Sequence, residues 1–138
     1  MTFSKITIQA EILVAKTKAW DYYTFPEHIV NWNFASEDWC CPTVSNDLVP
    51  GGKFSWRMEA KDGSFGFDFE GMFTEIVPLQ KIKYTLADQR EVEISFSDLA
   101  EGTRVEIVFE AENENPLDLQ QFGWQSILNT YKAYTERS

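Results

Sequence analysis

Histidine occurs once in these 138 residues, as His28, and cysteine only as the adjacent pair Cys40 and Cys41. Neighbouring cysteines close a badly strained disulfide, so the pair reads as two free thiols of a reducing compartment. One histidine and one cysteine pair supply too few soft ligands for a structural zinc, and no metal site is assigned. No Lys or Arg lies within a few positions of the thiols to lower their pKa, which gives no sign of a reactive cysteine. Basic residues are scarce as well, with 12 Lys and Arg against 22 Asp and Glu, a formal net charge of −10. Phosphate backbones and anionic bilayers reward the opposite sign, so neither nucleic acid nor membrane is an expected partner. No apolar run approaches the ~18 residues of a membrane span. No charged-then-apolar leader occupies Met1 to Val14, so the expected location is the cytoplasm. G-x-S-x-G, a phosphate-binding glycine loop and H-E-x-x-H are all missing. No catalytic residue and no cofactor are therefore assigned.

What the chain does have is a folding composition, 43% apolar and 15% aromatic, at a length that suits one domain over 1–138. The first strand is expected over Phe3 to Val14, where Ile6, Ile8, Ala10 and Ile12 alternate with polar neighbours. Thr17 is the expected cap of a short helix holding Ala19, Trp20, Tyr23 and Thr24, and Pro26 opens a second, to about Trp32. Pro50-Gly51-Gly52, Asp62-Gly63 and Glu101-Gly102 mark turns in a meander of about six strands. Between them run Phe54, Trp56, Met58; Phe65, Phe67, Phe69; Ile82, Tyr84, Leu86; Val92, Ile94, Phe96; and Val105, Ile107, Phe109. Period two over successive segments predicts an antiparallel sheet with one apolar face. After Phe69 the phase slips, and a β-bulge at Gly71 is the expected cause.

The last element is a long amphipathic helix. Asn115 is the expected N-cap, Pro116 the first helical residue, and Asp118 and Lys132 complement the dipole. Gln120, Trp124, Ile127, Leu128, Tyr131 and Tyr134 share one face. Gly123 lowers helix stability, and close approach to the sheet is its expected reason. The order predicts an α+β domain in which a curved antiparallel sheet of about six to seven strands grips the C-terminal helix.

The segments DLVPGGKFSWRMEAKDGS, FEGMFTEIVPLQKIKYTLADQREVEISF and NPLDLQQFGWQSILNTYKAYTE resemble the Hsp90-ATPase-activator-homologue family of the START-like, or SRPBCC, superfamily. The resemblance spans nearly the whole chain and implies the helix-grip (START-like, Bet v 1-like) fold. It also implies a cavity between long helix and sheet, as in relatives that bind lipids, hormones or polyketides, and no shared catalytic set. Eukaryotic co-chaperones of this name carry an additional N-terminal domain for which 138 residues leave no room, so an Hsp90-type chaperone is not the expected partner.

On that fold the sheet presents Trp56, Met58, Phe67, Phe69, Tyr84, Ile94, Phe96 and Phe109 to the helix. The helix contributes Gln120, Trp124, Ile127, Leu128 and Tyr131, and Trp32, Phe34 and Trp39 are expected at the mouth. Apolar lining with a few polar handles (Tyr84, Gln120, Tyr131 and the indole N–H groups) is the make-up of a small-molecule pocket. The alternative is a filled core in which the same side chains interdigitate. Arg57, Glu59, Asp68 and Glu70 have the opposite parity and belong to a solvated outer face, where a carboxylate gains no burial to become an acid or base. His28 beside Glu27 reads as a surface residue. Three functions fit: binding a hydrophobic, lipid-like or aromatic small molecule, a protein-interaction module, and a cyclase- or hydrolase-like enzyme. Monomer and homodimer both remain open.

Overall fold

The computed structural model describes residues 3–138; Met1 and Thr2, with which the domain and the leader reading begin, lie outside the described residues. The chain runs β1 (Lys5–Ile12), α1 (Lys16–Thr24), α2 (Pro26–Ile29), β2 (Trp39–Cys40), β3 (Val44–Asn46), β4 (Lys53–Ala60), β5 (Gly66–Val77), β6 (Lys81–Leu86), β7 (Glu91–Leu99), β8 (Gly102–Glu110) and α3 (Leu117–Arg137). The strands form one curved, unclosed sheet in the order β1-β8-β7-β6-β5-β4, and β2 and β3 both pair with the outer edge of β4. Among the described residues eight strands replace the six to seven expected, because β2 and β3 are two- and three-residue pieces, too short to show a period.

Register explains why the alternation survives folding. Val92, Ile94 and Phe96 of β7 stand opposite Phe109, Ile107 and Val105 of β8, so three apolar rows match across the ladder. All six are buried. Each such side chain contributes about 1.5–3 kcal/mol by leaving water. The first strand is shorter than expected, Lys5–Ile12, and its inward set is Ile6, Ile8 and Ile12 with Ala10 half-buried.

The bulge is displaced from its expected place. Gly71 keeps regular register with Phe54 and Leu86, and the shift falls between Phe73 and Glu75, at Thr74. Phe73 and Ile76 therefore both turn inward although their spacing is odd. Gly71 is there for a different reason. A Cβ on it would sit 2.7 Å from the Phe54 ring and 2.6 Å from the Thr85 carbonyl oxygen.

The helix starts also differ from expectation. Ala15, not Thr17, occupies the N-cap of α1, and Pro116, not Asn115, that of α3; neither start has a side-chain capping bond. α2 closes at Ile29, and tight turns carry the chain on to Asn33, whose N–H donates to Ile29 at 3.0 Å. Phe25 is extended before Pro26, which fills the first helical position. Gly123 faces open space, since an added Cβ would meet nothing within 4 Å, so close packing is not its reason. The far end of α3 is tied to the β1–α1 corner: Leu13 N–H donates to Glu136 at 2.8 Å and Lys132 Nζ to the Glu11 carbonyl at 2.5 Å. Among the described residues no helix is long and apolar enough to cross a membrane.

Candidate functional site

Because the sheet curves and α3 spans it, the two do not meet everywhere. Between the first half of α3 and strands β4, β5, β6 and β8 lies a cavity of about 320 Å³. Its walls are Trp56 and Met58 of β4, Phe67 and Phe69 of β5, Tyr84 of β6, Ile107 of β8, and Gln120, Trp124, Ile127 and Leu128 of α3. Tyr23 of α1, Trp32 and Asn33 after α2, Arg90 before β7, and Glu112 and Asn115 before α3 complete it.

Ten of the residues singled out in the sequence meet here: Trp32, Trp56, Met58, Phe67, Phe69, Tyr84, Gln120, Trp124, Ile127 and Leu128. Trp32 belongs to the wall and not the mouth, being 1% exposed. Six do not line the cavity, among them Ile94 and Phe109, which are buried in the core of the sheet. Phe96 faces inward but is covered by Trp20 and Tyr23, at ring separations of 5.2 and 5.8 Å. Tyr131 is sealed between Tyr23 and Trp32, each 5.1 Å away, and its hydroxyl donates to the Ala19 carbonyl at 2.6 Å. Trp39 packs edgewise on Phe65 and Phe67 beside the sheet edge. Phe34 is half-buried in the loop after the Trp32 turn.

The polar handles sort in the same way. The indoles of Trp32 and Trp56 are already used, donating to the Tyr22 carbonyl at 2.8 Å and to Asn46 Oδ1 at 2.7 Å. Gln120 is fully spent on the loop before α3: its Oε1 accepts from Glu112 N–H at 3.0 Å, and its Nε2 donates to the carbonyls of Glu112 and Asn115 at 3.1 and 2.8 Å. That amide latches the loop to the start of α3. The Glu112 carboxylate accepts from the N–H and the side-chain amide of Asn115.

What stays free is on the other walls. Tyr23 and Tyr84 are 7% and 4% exposed, and neither hydroxyl has a hydrogen-bond partner among the described residues. Burial pushes both phenols up; for Tyr84 the neighbouring Tyr23 adds to this and Arg90 opposes it. Both are neutral donors at any physiological pH. Among the described residues the Asn33 amide nitrogen donates only to sulfur, Met58 Sδ at 3.0 Å and Cys41 Sγ at 3.6 Å, which are weak acceptors.

Reasoning from sequence missed Tyr23, Asn33, Arg90, Ile107, Glu112 and Asn115. Ile107 shares the inward parity of Phe109 and was readable. The others sit on a short helix, a turn and loops, where no period reports direction. His28 lies away from the cavity, stacked on Tyr22 at 3.8 Å and bonded to the Tyr134 hydroxyl at 2.9 Å. Arg57, Glu59 and Asp68 pair with one another on the outer face, Nε–Oε2 at 2.8 Å and Nη1–Oδ1 at 3.5 Å. No cluster of three metal-ligating side chains occurs among the described residues.

A curved sheet gripping one long helix over an internal cavity is the helix-grip architecture. Within that class, residues 14–136 match the family described as activator of Hsp90 ATPase homolog 1-like protein, and the chain belongs to it. It is similar to an AHSA1-like protein from Aeromonas hydrophila, known from a solution structure, with 40% identity, 97% of this chain and 93% of that chain covered, and a TM-score of 0.92. It is also similar to Chr148 from Cytophaga hutchinsonii, with 43% identity, 96% and 92% covered, and a TM-score of 0.84. Protein NE0264 from Nitrosomonas europaea, at 18% identity with 96% and 94% covered, shares the fold with a TM-score of 0.82. No curated protein matches the chain.

Proposed function

We propose that the protein binds a hydrophobic small molecule in the cavity between α3 and the sheet. One observation carries this reading: a space of about 320 Å³, walled by aromatic rings, is bordered by the unpartnered hydroxyls of Tyr23 and Tyr84. A packed interior fills such space and satisfies such groups. The volume is near the lower end of the ~300–1,000 Å³ typical of ligand pockets and about twice the ~150 Å³ that takes a benzene. A two-ring aromatic or a short acyl chain is therefore the scale of the occupant, not a full-length lipid.

Titration of intrinsic tryptophan fluorescence with short fatty acids and two-ring aromatics tests it, because Trp32, Trp56 and Trp124 all border the space. Saturable quenching by compounds of this size, with none by sterols, is the expected result. A flat response to all of them contradicts it. Stimulation of an Hsp90-type ATPase in parallel would favour the protein-interaction reading that the family's description suggests.

A further inference from the structure

The turn between β6 and β7 places a cation on an apolar face. β6 and β7 pair Tyr84 with Val92, and Leu86 N–H donates to the Arg90 carbonyl at 2.8 Å. Arg90 thus stands two residues before Val92, on the same face as Tyr84 and Leu86. Its side chain is 16% exposed, and its Nε is paired with Asp88 at 2.6 Å, on the solvent side where Asp88 is 51% exposed. One Nη reaches the Glu110 carbonyl at a long 3.4 Å, and the other has no protein partner among the described residues. The Glu112 carboxylate, which also borders the cavity, is engaged by Asn115. Arg90 and the unpartnered, 4% exposed Tyr84 therefore present spare donors to one space.

We propose that the ligand carries a planar oxygen acceptor, a carbonyl or a carboxylate, on an aromatic body, and that Arg90 and Tyr84 receive that oxygen. This rests on the cavity reading above and adds the ligand's chemical class. A guanidinium has donors only, so an occupant without an acceptor leaves it and the hydroxyl facing an apolar surface with nothing to bond. A carboxylate gains charge-assisted bonds from Arg90. The nearby Asp88 and Glu112 weigh towards a neutral carbonyl, and the two sources separate experimentally.

Calorimetric titration with 2-acetylnaphthalene, 2-naphthoate and 2-ethylnaphthalene decides. At least one oxygen-bearing compound should bind about tenfold or more tightly than the hydrocarbon. The ketone leading assigns a neutral carbonyl, and the acid leading an anion. In Arg90→Met that preference should fall below about threefold. If Arg90→Met fails to fold by near-ultraviolet circular dichroism, Tyr84→Phe decides by the same criterion. Equal affinities in the unaltered protein, or a preference retained in the folded variant, overturn the assignment and leave the cavity reading standing. No binding of any of the three overturns the assignment, and a flat response to the short fatty acids as well overturns the cavity reading with it.

Discussion

The indole of Trp124 lies flat on the ring of Phe109, with centroids 4.0 Å apart and planes inclined by 9°. Phe109 is fully buried on β8 and Trp124 is half-buried on α3, so this stack joins the helix to the sheet beside the cavity. Phe69 closes the other side of the indole edgewise at 6.1 Å.

Trp124→Ala removes that wall. Truncating a buried large aromatic costs about 3–5 kcal/mol. With Trp124 only half-buried, about 2–3 kcal/mol is expected, read as a lower urea midpoint at unchanged slope. The cavity should also widen, so that the preferred ligand grows in size.

Two glycines should respond in opposite directions. Gly123→Ala adds a methyl where nothing lies within 4 Å and removes a helix-interior glycine, so it should stabilise by about 0.5–1 kcal/mol. Gly71→Ala drives a methyl against the Phe54 ring and the Thr85 carbonyl, and should destabilise by about 1–3 kcal/mol. Thermal unfolding of the two variants side by side checks both signs.

Gln120→Ala should loosen the loop before α3. The change leaves Glu112 N–H and two carbonyls without their partner, at a cost of about 1–3 kcal/mol. Stopped-flow fluorescence should show faster ligand release with a smaller change in association, because Glu112 and Asn115 of that loop border the cavity.

The alkaline limb of stability follows from the tyrosines. Burial raises the phenols of Tyr23, Tyr84 and Tyr131 above the ordinary value of 10.0. The unfolded chain releases these protons near pH 10 while the folded one holds them, so their contribution is complete below that pH and is lost as pH rises beyond it. Absorbance at 295 nm should show three phenols ionising together with loss of the fold. Reversible ionisation of all three near pH 10 with near-ultraviolet dichroism intact would contradict this.

The sheet was legible because period two is a local signal. Val92, Ile94 and Phe96 announce their face without knowledge of any partner. The bulge was misplaced because the sequence offers glycine as the obvious breaker, whereas the extra residue is Thr74, a β-branched residue with no signature of its own. Alternation also gives direction and not depth. Phe96 and Tyr131 point inward like Tyr84, but Trp20 and Tyr23 fall in front of them, and only the path of α1 decides that. Arg90 was invisible for a related reason. A charged residue in the turn Asp88-Gln89-Arg90 reads as solvated, until the ladder carries it to the concave face.

The most direct test of the central claim is a two-dimensional amide and indole NMR titration with 2-acetylnaphthalene. The account predicts saturable shifts centred on the Trp32, Trp56 and Trp124 indoles and on the amides of Tyr84, Arg90 and Leu128, all bordering the cavity. Shifts that are non-saturating, or that cluster on the exposed Leu119 and Phe122 while those signals stay still, would contradict it.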